Sequence, residues 1–304
     1  MVFFTVITPT YNRINYLKQS IKSVRNQHFK DWNLHIIDNS SNDGTLDYLQ
    51  DIVKEDNRIK FDVVNNNGII AYSRNYGLNQ ANSNAVSFLD DDDIWHQNKL
   101  EDDYSILSNK EGLVYSKSYS FFENKNIIGT LPSRKVSIYN PIFDLLHYGN
   151  IFTTSTVSYS LNKLTKSLRF NESSNVKTWE DYELWLRLIM QGKLTPFYIN
   201  KYNTKYRISN SQTSSHKQDI ENNKNISKFF KKYFQIHNVM RISKQPLWAH
   251  YNNMISYFFL NYYWKSFLSF LNTLIISLLT LNFVFLIKAL LKFGNIYLNY
   301  FIKR

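Results

Sequence analysis

The sequence of 304 residues has no cysteine, only five prolines and eight glycines, and no acidic residue after Glu221. The lack of cysteine excludes disulfides and thiolate metal sites and fits a reducing compartment. Few prolines and glycines, with 43% hydrophobic residues, are typical of a folded protein. The seven histidines include no pair four residues apart, so we do not expect a histidine-based zinc site. Residues 1–7 lack a basic leader and predict a first strand rather than a signal peptide.

Two phosphate-binding motifs are also missing. No G-x-G-x-x-G follows the first predicted strand, and no G-x-x-x-x-G-K-[ST] occurs anywhere. Neither dinucleotide nor P-loop binding is therefore supported. A nucleotide diphosphate bound to this chain would have to be held by a metal ion and side chains.

The positive charge is concentrated at the C-terminal end of the chain. From residue 222 onward there are nine lysines and two arginines, which carry +11, against +1 for the first 221 residues. Such asymmetry predicts an anionic partner surface, either membrane or nucleic acid.

Apolar runs alternate with helical patterns through the first 108 residues. Strands are predicted over residues 3–8, 32–37, 59–64 and 85–89, and each is followed by a polar turn and an amphipathic helix. Pro9 is expected to end the first strand. Four strand-helix units of this length predict a parallel sheet with helices on both faces.

The fourth strand ends in four consecutive carboxylates, Asp90, Asp91, Asp92 and Asp93. Ligands bind at the carboxyl ends of strands in open α/β sheets, and adjacent carboxylates repel one another unless a cation or hydrogen-bond donors neutralise them. Mg²⁺ or Mn²⁺ is the simplest neutraliser. The alternative is a solvated acidic turn, and in either case Asp93 is predicted to cap the helix that follows.

The pattern after residue 107 is mixed. Strands are predicted over residues 113–122, 151–159 and 198–208, and a short helix over residues 141–148. Another helix is predicted to begin near Glu180, with Glu180 and Asp181 in its first turn. These two acids either complement the helix dipole or include a general base. Arg207 and His216 are candidates to reach a phosphate, although each is also typical of a surface position.

Five motifs in order resemble family 2 glycosyltransferases, inverting enzymes of the GT-A fold. They begin at Thr5, Asp38, Ser73, Phe88 and Trp179 and read TVITPTYNR, DNSSNDGT, SRNYGL, FLDDDDIW and WEDYELWLR. They span roughly the first 215 residues. The resemblance implies an α/β GT-A domain with a mostly parallel central sheet flanked by helices.

The resemblance also implies roles for single residues. Nucleotide-sugar contacts would come from Thr8, Pro9, Tyr11, Asp38, Arg74, Asp90, Asp91, Arg207 and His216. Asp92 and Asp90 match the family's D-x-D motif and would bind Mn²⁺ or Mg²⁺, with Asp92 the more direct ligand. Asp181 matches the catalytic base, and Glu180 stays open as an alternative.

The implied reaction transfers a sugar from a nucleotide sugar, a UDP-sugar by comparison with relatives, to a glycan or lipid-linked acceptor in surface-polysaccharide synthesis. Residues 1–215 would form the catalytic domain, with the nucleotide-sugar half over 1–108 and the acceptor half over 109–215. Two other classes stay open: a sugar nucleotidyltransferase, which would want a basic, glycine-rich loop after the first strand, and a non-enzymatic basic binding module.

Residues 216–304 are predicted to form a basic, apolar helical extension. Residues 266–287 carry no charge, and an uncharged polar stripe recurs every three or four residues: Ser266, Ser269, Thr273, Ser277 and Thr280. The favoured interpretation is an interfacial hairpin on the anionic inner leaflet, which places the protein in the cytoplasm at the membrane periphery. Packing on protein, in a homodimer for instance, and a membrane span are the alternatives. No nucleic-acid motif is recognisable, which favours a lipid partner.

Overall fold

The computed structural model describes residues 1–122, 127–131, 133–173, 178–208, 254–255, 263–279, 286–287 and 289–293. The strands are Val2–Thr10 (β1), Trp32–Asp38 (β2), Ile59–Val63 (β3), Ser83–Phe88 (β4), Ile94–Trp95 (β5), Gly112–Phe121 (β6), Ile127–Thr130 (β7), Ser158–Ser160 (β8) and Thr195–Arg207 (β9). The helices are Ile14–Arg25 (α1), Thr45–Glu55 (α2), Ile70–Gln80 (α3), Lys99–Leu107 (α4), Pro141–Tyr148 (α5), Glu180–Met190 (α6) and Tyr263–Leu279 (α7).

Within the described residues the strands form one nine-stranded sheet in the order β3-β2-β1-β4-β8-β6-β9-β5, with β7 on β6. The four strands of the first half are parallel, as predicted. In the second half β6 and β9 are parallel, while β8, β7 and β5 pair in the antiparallel sense. The predicted α/β class is confirmed, and the parallel strands β1 to β4 all lie within the first 88 residues.

Strand β1 is buried on both faces, which explains its continuous apolar sequence. Phe4 and Val6 join the core formed with α1 and α2, which includes Leu17 and Leu49. Ile7 points to the other face and meets α3, where its Cγ2 lies 2.7 Å from the position that a Cβ on Gly77 would take. The missing side chain of Gly77 therefore sets the close approach of α3 to the sheet.

Strand β1 continues to Thr10, two residues beyond the predicted end. The expectation that Pro9 ends the strand is wrong. Pairing with β4 stops at Ile7 and Phe88, so β1 has a neighbour only on its β2 side when it reaches Pro9. A residue without an N–H is tolerated in such a place. The extension sets Thr10 directly opposite Asp38 at the carboxyl edge of the sheet.

The strand predicted over residues 151–159 is mostly absent. Residues Thr154–Thr156 form a 3₁₀ turn, and only Ser158–Ser160 pair in the sheet. Thr156 donates to the carbonyl of Thr153 both from its hydroxyl, at 2.7 Å, and from its backbone N–H, at 2.8 Å. Hydroxyl side chains that bond to nearby backbone compete with the sheet ladder in this way.

The chain divides into two compact units. One contains residues 1–142, 150–174 and 180–212, and the other contains residues 143–149, 175–179 and 213–304. The predicted boundary between residues 215 and 216 falls outside the described residues and stays a prediction. No helix in the described part of the chain has both the length and the apolar character needed to cross a bilayer.

Candidate active site

The four aspartates after β4 form a tight turn. The N–H of Asp93 donates to the carbonyl of Asp90 at 3.1 Å, and the N–H of Asp90 donates to Ser155 Oγ at 3.0 Å. The side chains of Asp90 and Asp92 are 25% and 18% exposed, whereas Asp91 and Asp93 are buried. The turn therefore offers two carboxylates to the solvent side and buries two in the protein.

The buried pair anchors the turn. Asp91 accepts from Thr10 Oγ1 at 2.7 Å and from Arg13 Nη1 at 3.3 Å, and Asp93 accepts from the backbone N–H of Arg207 at 2.9 Å. Burial, followed by the charge of the neighbouring carboxylate, raises the pKa of Asp91 to about 7 and that of Asp93 well above its usual range. The predicted helix cap at Asp93 is wrong, because its carboxylate faces β9 and α4 begins after Asn98.

Each carboxylate of the solvent-side pair is held by an arginine. Arg74 Nη2 lies 2.8 Å from Asp90 Oδ1, and Arg13 Nη1 lies 2.7 Å from Asp92 Oδ2. Burial and the charge of Asp90 raise the pKa of Asp92. Two partly exposed carboxylates on a turn of oxygen ligands fit a hard divalent cation. The described residues hold no group of three or more acidic or histidine side chains arranged as a metal site.

Arg74 joins the acidic turn to helix α6. Its guanidinium is buried and donates from Nη1 to Glu180 Oε1 at 2.8 Å while Nη2 binds Asp90. Burial alone would lower the pKa of Arg74, but Asp90 and Glu180 more than offset this and raise it. In this structure its contacts are carboxylates, and its predicted place beside the nucleotide stays a prediction.

The other residues of the SRNYG motif also hold the site together. Ser73 accepts from Asn66 at 2.8 Å. Asn75 exchanges two hydrogen bonds of 2.8 Å with the backbone of Phe170, in the segment before α6. Together with the packing of Gly77 on Ile7, the motif ties α3 to β1, to the turn and to the approach to α6.

Asp181 lies on the wall of a cavity of about 440 Å³, which Asp90 and Tyr206 also line. Its carboxylate accepts from Thr154 Oγ1 at 2.9 Å. Burial, followed by the charge of Glu180, raises the pKa of Asp181 to about 6. Glu180 is buried and paired with Arg74, so of the two predicted acids only Asp181 lines the cavity.

A second cavity, of about 380 Å³, is lined by Arg13 and Arg207, which both contact the turn, and by six other residues: Asn12, Ile14, Asn15, Tyr16, Gln19 and Asp43. Arg207 donates from Nε to the carbonyl of Asp92 at 2.8 Å, and its guanidinium lies between the rings of Tyr16 and Phe121. That Arg207 could reach a phosphate stays a prediction. His216 lies outside the described residues.

The predicted nucleoside pocket lies at the ends of β1 and β2. Thr8 and Pro9 are in β1, and Tyr11 is 54% exposed just after it. Asp38 ends β2 and accepts from the N–H of Ser41 at 3.0 Å and from the Ser41 hydroxyl. These side chains share one edge of the sheet with the acidic turn.

Two contacts of the site were not predicted. Arg13 lies inside the first motif, but its partner Asp92 is 79 residues away. Thr154, the partner of Asp181, lies in a stretch whose threonines and serines indicate only a strand. No local signal in the sequence could have identified either contact.

Several known proteins that resemble this chain are glycosyltransferases. The profile described as "Glycosyl transferase family 2" matches residues 5–164. The chain is 30% identical over 214 residues to the "Putative teichuronic acid biosynthesis glycosyltransferase TuaG" of Bacillus subtilis, covering 70% of this chain and 82% of the relative. It is 29% identical over 214 residues to the Escherichia coli "UDP-Glc:alpha-D-GlcNAc-diphosphoundecaprenol beta-1,3-glucosyltransferase WfgD", covering 70% of this chain and 80% of the relative.

Among solved structures, the mannosyltransferase PcManGT from Pyrobaculum calidifontis, in complex with GDP-Man and Mn²⁺, matches with a TM-score of 0.53 at 14% identity, over 96% of this chain and 86% of that one. This likeness shows the fold and confirms the predicted GT-A architecture. Since the family profile covers more than half of the chain, in the segment that supplies the acidic turn, Arg74 and Thr154, the chain belongs to glycosyltransferase family 2.

Proposed function

We propose that this protein is an inverting, metal-dependent glycosyltransferase that moves a sugar from a UDP-sugar to a hydroxyl of a glycan or lipid-linked acceptor in cell-surface polysaccharide synthesis. The observation that carries the proposal is that Asp90 and Asp181 line one cavity. A carboxylate that could bind a cation, Asp90, and a carboxylate that could accept a proton, Asp181, therefore line the same cavity. The printed name of WfgD, with UDP-Glc and a diphosphoundecaprenol acceptor, supports the donor and acceptor classes.

Asp181 is the proposed general base. Burial and Glu180 raise its pKa to about 6, so the carboxylate is mostly ionised at neutral pH yet basic enough to take a hydroxyl proton. Thr154 Oγ1 holds the carboxylate in position at 2.9 Å. As the acceptor oxygen loses its proton to Asp181, it attacks the anomeric carbon from the side opposite the leaving diphosphate. A single displacement of this kind inverts the anomeric centre.

Glu180 has a positioning role in this proposal. Its carboxylate is buried against Arg74 at 2.8 Å, which leaves it poorly placed to take a proton. Because the same guanidinium binds Asp90, Glu180 fixes the start of α6 relative to the acidic turn. Asp181, the next residue, is thereby held at the cavity wall.

Asp92 and Asp90 are the proposed ligands of Mn²⁺ or Mg²⁺, and the Mn²⁺ in the PcManGT complex supports this. When bound, the ion would offset negative charge on the departing diphosphate. Two carboxylates suffice for such an ion when substrate phosphates and water supply the remaining ligands. The turn itself is fixed by its buried pair, Asp91 and Asp93, so the solvent-side pair keeps its orientation.

The nucleotide would lie along the carboxyl edge of the sheet. Thr8, Pro9, Tyr11 and Asp38 are proposed to line the nucleoside pocket. Arg207, at the cavity next to Asp92, is proposed to meet the diphosphate, with His216 from the segment that follows. A sugar nucleotidyltransferase would need several basic groups in the loop after β1. That loop offers Arg13, which is paired with Asp91 and Asp92.

We also propose that donor binding belongs to residues 1–108, acceptor binding to residues 109–215, and membrane association to residues 216–304. The basic extension would keep the enzyme on the inner face of the plasma membrane, where a lipid-linked acceptor is presented.

Calorimetric titration tests the nucleotide site. UDP, GDP, CDP and ADP are titrated with Mn²⁺ or with EDTA into the wild type, Asp92→Asn and the control Asp51→Asn, whose carboxylate is exposed on α2 and pairs with Lys54. We expect UDP to bind only with Mn²⁺, to lose that binding in Asp92→Asn, and to keep it in Asp51→Asn. Binding of no nucleotide by folded wild-type protein would overturn the proposal, and preference for GDP would overturn the donor assignment.

A further inference from the structure

Helix α7 turns its polar side inward. The hydroxyl side chains of the predicted stripe that the structure describes are buried, namely Ser266, Ser269, Thr273 and Ser277, while Thr280 lies outside the described residues. Ser266 Oγ donates to the carbonyl of Met254 at 2.7 Å, and Thr273 Oγ1 donates to the carbonyl of Ser269 at 2.8 Å. These hydroxyl side chains share the buried side of α7 with Phe270 and Ile276, and part of their hydrogen bonding is satisfied by nearby backbone.

The outward side of α7 is mostly apolar, with Asn272 as an exposed polar residue among the apolar ones. Four large side chains lie there at spacings of three, four and three residues, each between 36% and 55% exposed: Leu268, Leu271, Ile275 and Leu278. Nearby in sequence, Ile287, Leu290 and Leu291 are between 50% and 64% exposed. A helix on the surface of a water-soluble protein has the opposite arrangement, with the apolar stripe facing the core.

This inverted polarity is typical of helices whose outer surroundings are lipid. In that setting small and hydroxyl residues face the protein, where helices approach closely, and branched apolar side chains face the hydrocarbon. Only one side of α7 is open. The opposite side packs in a cluster of Met254, Phe270 and Ala289. A helix with one apolar side available lies in the plane of an interface.

The positive charge of the chain after Glu221 indicates which kind of partner the apolar side of α7 would bind. All charged residues after Glu221 are basic, and Lys265 and Lys292 are exposed beside the apolar side chains. A second copy of this chain would bring the same positive charges together, whereas an anionic lipid surface complements them. We infer that the exposed apolar side of α7, with Ile287, Leu290 and Leu291, is inserted into an anionic lipid surface and anchors the enzyme there. The inference rests on the proposed function in that it names the surface on which a lipid-linked acceptor would be met.

Vesicle flotation tests the inference with the full chain. The protein is mixed with phosphatidylglycerol vesicles or with phosphatidylcholine vesicles, at low and high salt. The main variant is Leu271→Ser combined with Ile275→Ser. Its matched control is Leu164→Ser, which replaces a 47% exposed leucine of the other unit. A second variant, Lys265→Gln with Lys292→Gln, removes charge and leaves the apolar side chains in place.

We expect the wild type and Leu164→Ser to float with phosphatidylglycerol and to bind phosphatidylcholine weakly. The leucine-isoleucine variant should lose on the order of tenfold or more in vesicle affinity, because two side chains no longer leave water. The lysine variant should bind phosphatidylglycerol more weakly and with less dependence on salt. Thermal unfolding of all variants should match the wild type, since the replaced side chains face outward.

Three results would overturn the inference: a wild type that stays with the lipid-free fraction, a leucine-isoleucine variant that floats as well as the wild type, or a lipid-free dimer in light scattering that this variant converts to monomer. The last would assign the surface to a second copy. UDP titration of the same preparations separates the two proposals. Vesicle binding without UDP binding would refute the proposed transfer reaction and leave this inference standing. UDP binding without vesicle binding would refute this inference, together with the membrane association proposed for residues 216–304, and leave the transfer reaction standing.

Discussion

The guanidinium of Arg13 contacts two carboxylates of the acidic turn at once, Asp92 at 2.7 Å and Asp91 at 3.3 Å. Arg13 comes from the loop between β1 and α1, so a neighbouring element supplies the positive charge that the turn requires. A divalent ion at Asp92 would have to take that carboxylate from Arg13. The side chain and the ion are therefore expected to compete.

The first prediction follows from this competition. Arg13→Gln should bind Mn²⁺ in the absence of nucleotide about fivefold more tightly than the wild type, the ratio that corresponds to about 1 kcal/mol for a partly exposed ion pair. Calorimetry or the paramagnetic resonance signal of free Mn²⁺ measures this. Arg25→Gln is the matched control, because Arg25 lies on α1 and pairs with Glu55 away from the turn. Equal affinities in Arg13→Gln and wild type would show that Arg13 does not compete with the ion.

The second prediction separates the two adjacent acids of α6. Asp181→Asn should lower transfer by about 10² to 10⁴ and leave UDP affinity and thermal stability near those of the wild type, because it removes a base that makes no ion pair. Glu180→Gln should instead reduce the free energy of unfolding by about 2 kcal/mol, since Arg74 keeps its buried charge and loses one of its two carboxylates. Single-turnover assays and urea unfolding measure the two effects. Wild-type turnover in Asp181→Asn would refute the base assignment.

The third prediction concerns pH. Protonation of Asp181 should make kcat/KM fall about tenfold per pH unit below about pH 6. The Thr154 hydroxyl donates to this carboxylate and stabilises its charged form, which lowers its pKa. Thr154→Val should therefore raise the pKa of Asp181 and move the acid limb to higher pH by about 0.7 pH unit, the equivalent of a hydrogen bond of about 1 kcal/mol.

Thr153→Val is the control for the pH prediction, because Thr153 lines the same cavity and none of the hydrogen bonds described for Asp181 involves its side chain. Its acid limb should coincide with that of the wild type. If Thr154→Val lowers kcat/KM at every pH without shifting the acid limb, the Thr154 hydroxyl does not lower the pKa of Asp181 and its role is only structural.

The fourth prediction addresses the contact between α3 and β1. Gly77→Ala would place a Cβ 2.7 Å from Ile7 Cγ2, in a core where Ile7 is fully buried. We expect a loss of about 1 to 3 kcal/mol in the free energy of unfolding by urea. Gly129→Ala on β7 meets nothing closer than Ser120 Oγ at 3.7 Å and should stay within about 0.5 kcal/mol of the wild type. Similar losses for the two variants would contradict the packing argument.

The sequence was sufficient for the parallel half of the fold, because buried strands such as Trp32–Asp38 are rich in apolar residues and end in recognisable polar turns. It was also sufficient for the start of α6 at Glu180. Local patterns were enough in both cases, since each element is determined by residues close together in the chain.

The partners of the charged groups could not be predicted. Arg74 and Glu180 are 106 residues apart, and nothing near either residue indicates the other. Asp93 has the local signature of a helix cap, but its acceptor oxygen is taken by the backbone of Arg207, 114 residues away. In α7 the spacing identified a polar stripe, but spacing alone cannot tell which side of a helix faces the protein.

Four identical aspartates in a row look interchangeable, yet their positions relative to β4 give their side chains different sets of partners: Arg74 for Asp90, Thr10 and Arg13 for Asp91, Arg13 for Asp92, and the backbone of Arg207 for Asp93. One extra aspartate inserted ahead of Asp90 would barely change the local composition. It would nevertheless shift each aspartate by one position. Each partner would then meet a different carboxylate, and an oxygen that is now buried would face the cavity. The role of each aspartate depends on its position relative to β4. Shifting the stretch by one residue should therefore damage the site more than removing one of its charges.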